Sequence, residues 1–171
     1  MKKILLLLLF SISFAFSQES INYQTPSSEI LELVEYDRPP SVTYDRDKNF
    51  MLFLYRDNYK SIEDLSQKEL RLAGLRINPK KNIGSRITYY NNVKIKNLKS
   101  KNPEINDIIG IPNNPLIANI NWSPNQKNIA FTNTSSDGVR LWVLNLESRS
   151  LTKLSDLKLN SNIGDVINWV N

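Results

Sequence analysis

An aromatic pair separated by nine residues occurs twice in the chain, and this repeat limits the possible folds more than any other feature. Trp122 and Phe131 enclose the tract Trp-Ser-Pro-Asn-Gln-Lys-Asn-Ile-Ala-Phe, and Tyr44 and Phe53 have the same separation. A third start, Ile-Asn-Trp169, follows Trp122 after 47 residues. Repeats of about 40–50 residues that contain several short strands are typical of propeller blades.

The predicted fold is all-β: an incomplete β-propeller over residues 41–171 with about two four-stranded antiparallel blades. The blade units are predicted at about 41–98 and 117–154, and a truncated third unit starts at 165 with a strand over 165–170. The second unit contains strands at about 117–122, 128–133, 139–146 and 150–154, and turn-forming residues separate them. Between the strands predicted at 49–56 and 93–98, capping-box spacings at 61–64 and 66–69 predict two short helices in an insertion.

The start of the chain has the pattern of a secretory signal over residues 1–17. Lys2 and Lys3 precede an apolar run at 4–10, and Ala15-Phe16-Ser17 places small residues before the expected cleavage at Gln18. We therefore expect an exported, periplasmic or extracellular protein that keeps no membrane anchor. Residues 18–40 form an N-terminal extension with a short helix that starts near Ser27 or Ser28 and ends before Pro39-Pro40.

The composition excludes several kinds of site. The chain has no histidine and no cysteine, so a Ser-His-Asp triad, a histidine-ligated zinc site and a disulfide cannot form within it. No Gly-x-Ser-x-Gly elbow occurs either. We therefore expect no catalytic, cofactor-binding or metal-binding residues, no cofactor and no enzymatic activity of the chain by itself.

Two groups of basic residues are candidate binding surfaces. The insertion contains five cations that either bind a carboxylate or form a solvated surface: Arg71, Arg76, Lys80, Lys81 and Arg86. A second run comprises Lys94, Lys96, Lys99 and Lys101. Its net charge and lack of interleaved aromatics argue against nucleic-acid binding, so we interpret these as edge-strand lysines that oppose sheet pairing.

The remaining candidates have structural interpretations. The carboxylate pairs Asp45 with Asp47 and Glu63 with Asp64 are interpreted as turn and cap residues. The three tryptophans are expected in the core: Trp122, Trp142 and Trp169. The glycosylation sequons at Asn121 and Asn133 lie in or beside predicted strands and carry little weight.

Several tracts resemble the start of glutamyl endopeptidases, a branch of the prolyl oligopeptidase-like serine peptidases. They are Leu-Ala-Gly-Leu-Arg-Ile at 72–77, Ile-Gly-Ile-Pro at 109–112 and Ile-Asn-Trp-Ser-Pro at 120–124. The resemblance implies an N-terminal propeller that restricts peptide access to an α/β-hydrolase domain carrying the catalytic triad. No catalytic residue carries over, since no matching position exists in this sequence.

The leading functional hypothesis is the truncated, non-catalytic propeller region of an exported serine peptidase. Its expected partner is a peptide or protein substrate, which would bind through the missing catalytic domain. The rival is a free-standing exported module that binds a protein partner, and an enzyme acting by itself is the third class. Two blades do not close a ring, so self-association through open blade edges is a further expectation.

Overall fold

The computed structural model describes residues 24–170, and the chain divides into a unit at 1–36 and a unit at 37–171. The signal predicted at 1–17 lies outside the described residues. In the first unit, helix α1 spans Ser28–Val34, and Ser27 occupies its N-cap position without a side-chain hydrogen bond. Within the described range, no helix has both the length and the apolar character needed to cross a membrane.

The second unit is mostly β-structure. In chain order its elements are β1 (Ser41–Tyr44), β2 (Phe50–Tyr55), α2 (Ile62–Ser66), β3 (Leu70–Leu72), β4 (Leu75–Asn78), β5 (Ile83–Gly84), β6 (Asn92–Asn97), β7 (Ile105–Asp107), β8 (Ile117–Trp122), β9 (Asn128–Ser135), β10 (Gly138–Asn145) and β11 (Leu151–Lys153). The described residues form three antiparallel sheets, and none of these closes on itself. The all-β prediction is therefore confirmed.

Two of the sheets have the same plan. The first sheet has the order β1-β2-β6-β7 and the second the order β8-β9-β10-β11, so each is a four-stranded meander. The strands predicted at 41–44 and 117–122 are confirmed at both ends. The fourth strand of the first sheet, β7, lies beyond residue 98, so the predicted unit at 41–98 is too short. A strand of only three residues gives little signal in the sequence.

The same turn opens both sheets and accounts for the repeated sequence. The Asp45 N–H donates to Phe50 O at 3.2 Å, and the Ser123 N–H donates to Asn128 O at 2.9 Å. Lys48 and Gln126 stand three residues into each turn with φ of 53° and 55°. The side-chain oxygens of Asp45 and Ser123 each accept backbone N–H bonds from the far end of their turn. The second turn therefore repeats the backbone geometry of the first.

We call the side of each sheet that bears Tyr44 or Trp122 its front face and the opposite side its back face. Cross-strand partners share a face, so Met51 joins Tyr44 and Ile129 joins Trp122. A single buried cluster combines back-face residues of the first sheet with front-face residues of the second, among them Leu52, Leu54, Val93 and Ile95 with Ile129, Phe131, Leu144 and Leu151. The two sheets therefore pack front to back.

The third sheet, β3-β4-β5, lies in the insertion between β2 and β6. Helix α2 is confirmed there, whereas the second predicted helix is wrong, since residues 70–78 form a hairpin. Ala73 and Gly74 both have positive φ, 47° and 86°, as a two-residue hairpin turn of type I′ requires. The alternation of leucine and arginine along 70–72 also suits a strand.

The final described segment is irregular. The strand predicted over 165–170 is wrong, because these residues form no ladder with a neighbour. They contact β8 through side chains instead: Asn121 Nδ2 donates to Ile167 O at 3.3 Å, and Trp169 Nε1 donates to Asn121 O at 3.4 Å. β8 is bulged between Ala118 and Asn121, with Asn119 at φ 51°. At its outer edge Ile117 forms an isolated antiparallel bridge with Tyr90.

Candidate functional site

A cleft of about 630 Å³ lies between the insertion and the first sheet. Its wall includes residues 56–60 after β2, the end of α2, and residues 84–89, which run from the last residue of β5 towards β6. Leu65, Ile87 and Leu116 provide apolar surface, and Tyr59 and Tyr89 line the cleft as well. Such a volume is within the range of small-ligand sites.

Glu69 is the centre of an ion-pair cluster in the wall of this cleft. Its Oε1 accepts hydrogen bonds from Arg71 Nε at 3.0 Å and Arg76 Nη1 at 3.2 Å. Its Oε2 accepts from Ser85 Oγ at 2.5 Å and Arg86 Nε at 3.3 Å. The Glu69 side chain is only 17% exposed, whereas those of Arg71 and Arg86 are 71% and 64% exposed. The cluster joins β3 and β4 to the segment after β5.

The environment of Glu69 strongly favours its ionised form. The hydrogen bond from the Ser85 hydroxyl and that from Arg71, with the charges of Arg76 and Arg86, lower the Glu69 pKa from 4.5 to about 2. Hydrogen bonds and positive charges stabilise a carboxylate, which accounts for the direction of the shift. Glu69 therefore remains charged throughout the physiological pH range.

The structure brings together part of the predicted basic group. Arg71, Lys81 and Arg86 line the cleft, and Arg76 joins them through Glu69. Lys80 does not line it. The backbone N–H groups of Lys80 and Lys81 both donate to Asn78 Oδ1 at 3.1 Å, which fixes the turn between β4 and β5.

Three further cations in the cleft were missed in the sequence: Arg38, Arg56 and Lys60. Arg38 lies just before β1, Arg56 just after β2 and Lys60 just before α2. Only the strand pairing of the first sheet brings these positions next to the insertion. These three cations belong to no basic run, so the sequence alone did not indicate that they line the same cleft.

The second basic run has a different role from the predicted one. β6 lies between β2 and β7, so Lys94 and Lys96 are on an interior strand and the edge-strand interpretation is wrong. Lys94 Nζ forms an ion pair with Asp107 Oδ1 on β7 at 3.1 Å. Lys99 and Lys101 lie exposed beyond the end of β6.

The acidic candidates act in turns and caps, as expected. Asp45 is 3% exposed, and its Oδ1 accepts from the N–H groups of Asn49 and Phe50, both at 2.7 Å. Asp64 lies in the first turn of α2, where its N–H donates to Ser61 Oγ at 3.0 Å. Among residues 24–170, no group of three acidic side chains has a metal-binding arrangement.

The tryptophans and sequons also have structural positions. Trp122 and Trp142 are partly buried against the core cluster, and Trp169 is partly buried beside β8. The two sequon asparagines hydrogen-bond within the fold: Asn133 Oδ1 accepts from the Leu116 N–H at 2.8 Å, and Asn121 contacts Ile167.

Comparison with known proteins connects the chain to peptidases. It is 30% identical over 167 residues to a protein from Oryza sativa subsp. japonica named probable glutamyl endopeptidase, chloroplastic, covering 91% of this chain. It is 31% identical over 150 residues to a protein of the same name from Arabidopsis thaliana, covering 81% of this chain. No protein-family profile matches the chain.

The similarity covers only a small part of those relatives. The chain spans 18% of the rice protein and 16% of the Arabidopsis protein. The region of similarity therefore leaves more than four fifths of each relative without a counterpart in this sequence.

Proposed function

We propose that this chain is the N-terminal, non-catalytic propeller portion of an exported glutamyl endopeptidase-like serine peptidase in the prolyl oligopeptidase family. In the whole protein it would limit which peptides reach the catalytic domain. The supporting observation is the asymmetry of the similarity, which covers most of this chain and less than a fifth of each peptidase.

The chemistry of the sequence supports a non-catalytic role. A serine peptidase of this kind needs a nucleophile, a histidine that takes its proton and an acid that orients the histidine. The sequence contains no histidine and no Gly-x-Ser-x-Gly tract. The catalytic groups would then belong to the part of the protein that has no counterpart here.

The packing of the two four-stranded sheets supports the propeller. Because they pack front to back, the contact can be repeated by further sheets of the same plan. Propellers arrange four to eight such sheets around a channel, and a channel of this kind could restrict the entry of large peptides. Export is proposed from the basic, apolar and small-residue pattern of residues 1–17.

The non-catalytic role is tested by assaying the purified chain against casein and chromogenic peptides that contain glutamate. We expect no turnover. Activity that survives purification and is abolished by a serine-directed reagent would contradict the proposal.

The gating role is tested in a chimera of the rice relative in which this chain replaces the matching region. We expect the chimera to cleave short peptides but not folded proteins, and a deletion of the region to relax this discrimination. Labelling by a serine-directed probe controls for an intact catalytic domain. If the chimera and the deletion variant cleave large substrates equally, the gating role is excluded and a free-standing binding module is favoured.

The site of cleavage is tested by mass spectrometry of the chain recovered from fractionated bacteria. We expect an exported product that begins near Gln18. A cytoplasmic product that retains residues 2–17 would contradict export.

A further inference from the structure

We propose that the cleft between the insertion and the first sheet binds an acidic peptide segment, whose carboxylates are held by Arg38, Arg56 and Lys81. The inference does not depend on the proposed function, because it concerns binding by this chain itself.

The first argument is the balance of charge in the cleft. Six cations and three carboxylates line it, which leaves a net charge of +3. Arg71 and Arg86 are paired with Glu69. Among the described residues, the other four cations form no ion pair: Arg38, Arg56, Lys60 and Lys81. Lys60 Nζ instead donates to Ser85 O at 3.5 Å.

The second argument is that the three carboxylates of the wall already have partners. Asp57 Oδ1 accepts from Asn91 Nδ2 at 2.7 Å, and Asp64 Oδ2 accepts from Ser61 Oγ at 2.8 Å. Glu69 is held by its three arginines and by Ser85. None of the three carboxylates forms an ion pair with Arg38, Arg56 or Lys81 among the described residues, so these cations are available to an anionic ligand.

The third argument is the state of Arg56. Its Nε is buried, and no hydrogen-bond partner for it occurs in the described part of the chain. Buried donors are rarely left without a partner, because they lose their hydration without compensation. Arg56 also lines the cleft, so an anion bound there would offset the charge of its guanidinium.

The walls favour carboxylates over phosphates. The chain's own Glu69 shows that arginines of this wall hold a singly charged carboxylate. A net charge of +3 matches a few separate carboxylates better than a polyphosphate or a nucleic acid. Leu65, Ile87 and Leu116 offer apolar contacts to the peptide between its charges.

The test is a fluorescence anisotropy titration of the full chain with a labelled peptide that alternates glutamate and alanine. A matched peptide with glutamine in place of glutamate measures the dependence on charge. Low ionic strength is used first, because salt screens exposed charges. Inorganic phosphate and free glutamate are compared as competitors.

The variants isolate the cleft. We expect Arg56→Gln with Lys81→Gln to weaken binding by about tenfold or more, because two charge-assisted contacts are lost. The matched control, Lys99→Gln with Lys101→Gln, removes the same charge from exposed positions outside the cleft and should leave binding unchanged. Circular dichroism and thermal unfolding check the fold.

If the Arg56 variant does not fold, Arg38→Gln with Lys81→Gln decides the question, since Arg38 is exposed before β1. The proposal is overturned if the glutamate peptide does not bind, or if the glutamine peptide binds equally well. It is also overturned if the control variant loses as much affinity as the cleft variant. Displacement by phosphate at lower concentration than by glutamate would assign the cleft to phosphates and reject the acidic peptide.

Discussion

The front faces of the two four-stranded sheets occupy corresponding positions in the repeat but have opposite surroundings. In the second sheet, Ile129 and Phe131 are 0% and 2% exposed, because the back face of the first sheet covers them. In the first sheet, Tyr44 is 51% exposed, and the positions equivalent to Ile129 and Phe131, Met51 and Phe53, are only partly buried.

The side chains on the neighbouring strand explain this difference. In the second sheet, Phe131 and Ile129 pair with Trp142 and Leu144. In the first sheet, the equivalent partners of Phe53 and Met51 are Lys94 and Lys96. The repeat therefore determines the strand order and the turn, whereas the face residues determine whether another sheet can be packed against that side.

The largest expected effect tests this contrast in the core. Phe131→Ala should destabilise the fold by about 3–5 kcal/mol, because a buried aromatic ring is removed and a cavity remains. The equivalent change, Phe53→Ala, removes a half-buried ring and should cost only about 1 kcal/mol. Urea unfolding of both variants gives the two losses. Equal losses would mean that the first front face is covered as fully as the second.

The next effect concerns the shared turn. Asp45→Ala removes a buried acceptor of two N–H bonds and should cost about 2–3 kcal/mol, since hydrogen bonds to charged groups are strong. Ser123→Ala removes an acceptor of one such bond and should cost about 1 kcal/mol. Thermal unfolding measures both, and Asp45→Asn, which keeps one acceptor oxygen, should fall between them. A larger loss of stability for Ser123→Ala than for Asp45→Ala would contradict the expectation that the charged acceptor contributes more.

The sequence predicted the second sheet well, because its turns are marked by Ser-Pro-Asn-Gln and Ser-Ser-Asp-Gly and its two central strands, β9 and β10, are eight residues long. The insertion was predicted less well. The spacing of Ser66 and Glu69 suggested a helix cap, but the Ala73-Gly74 turn and the pairing of β3 with β4 determine the local structure. Local capping signals do not reveal that a strand partner is available.

The candidate site was predicted only in part, for a related reason. The five basic residues of the insertion are close in sequence, so their grouping was visible. Their internal carboxylate, Glu69, was not singled out, because side-chain pairing across a hairpin depends on register. Arg38 and Arg56 join the cleft only through the folding of the first sheet.

A smaller expected effect on stability concerns Glu69 in the insertion, and it depends on pH. In the folded chain the Glu69 pKa is lowered from 4.5 to about 2. The stability that Glu69 contributes is therefore fully present above about pH 4.5 and is lost as the pH falls towards 2. We expect Glu69→Gln to lower the melting temperature at neutral pH and to have progressively less effect as the pH approaches about 3.

A second lowered pKa makes the comparison with the variant necessary. Hydrogen bonds from Arg140, Ser135 and Lys158 hold the pKa of Asp137, in the β9–β10 turn, below its usual range. This group gives both proteins the same acid-induced loss, so the difference between wild type and Glu69→Gln isolates the insertion. A difference that stays constant from neutral to acidic pH would contradict the lowered Glu69 pKa.

The smallest expected effect on stability sharpens the comparison of the two front faces most directly. Lys94→Leu with Lys96→Leu gives the first front face the apolar character of the second, where Trp142 and Leu144 stand. The variant loses the ion pair between Lys94, whose side chain is 33% exposed, and Asp107, whose side chain is 80% exposed. Because exposed ion pairs contribute little, the free energy of unfolding should change by less than about 1 kcal/mol. The enlarged apolar face should instead cause self-association, because contiguous exposed apolar surface favours contacts between molecules.

Sedimentation velocity over a range of concentrations measures this association. Lys99→Leu with Lys101→Leu, beyond the end of β6, is the matched control and should sediment as the wild type does. Equal association of both variants would show that general surface hydrophobicity, and not the front face of the first sheet, is responsible.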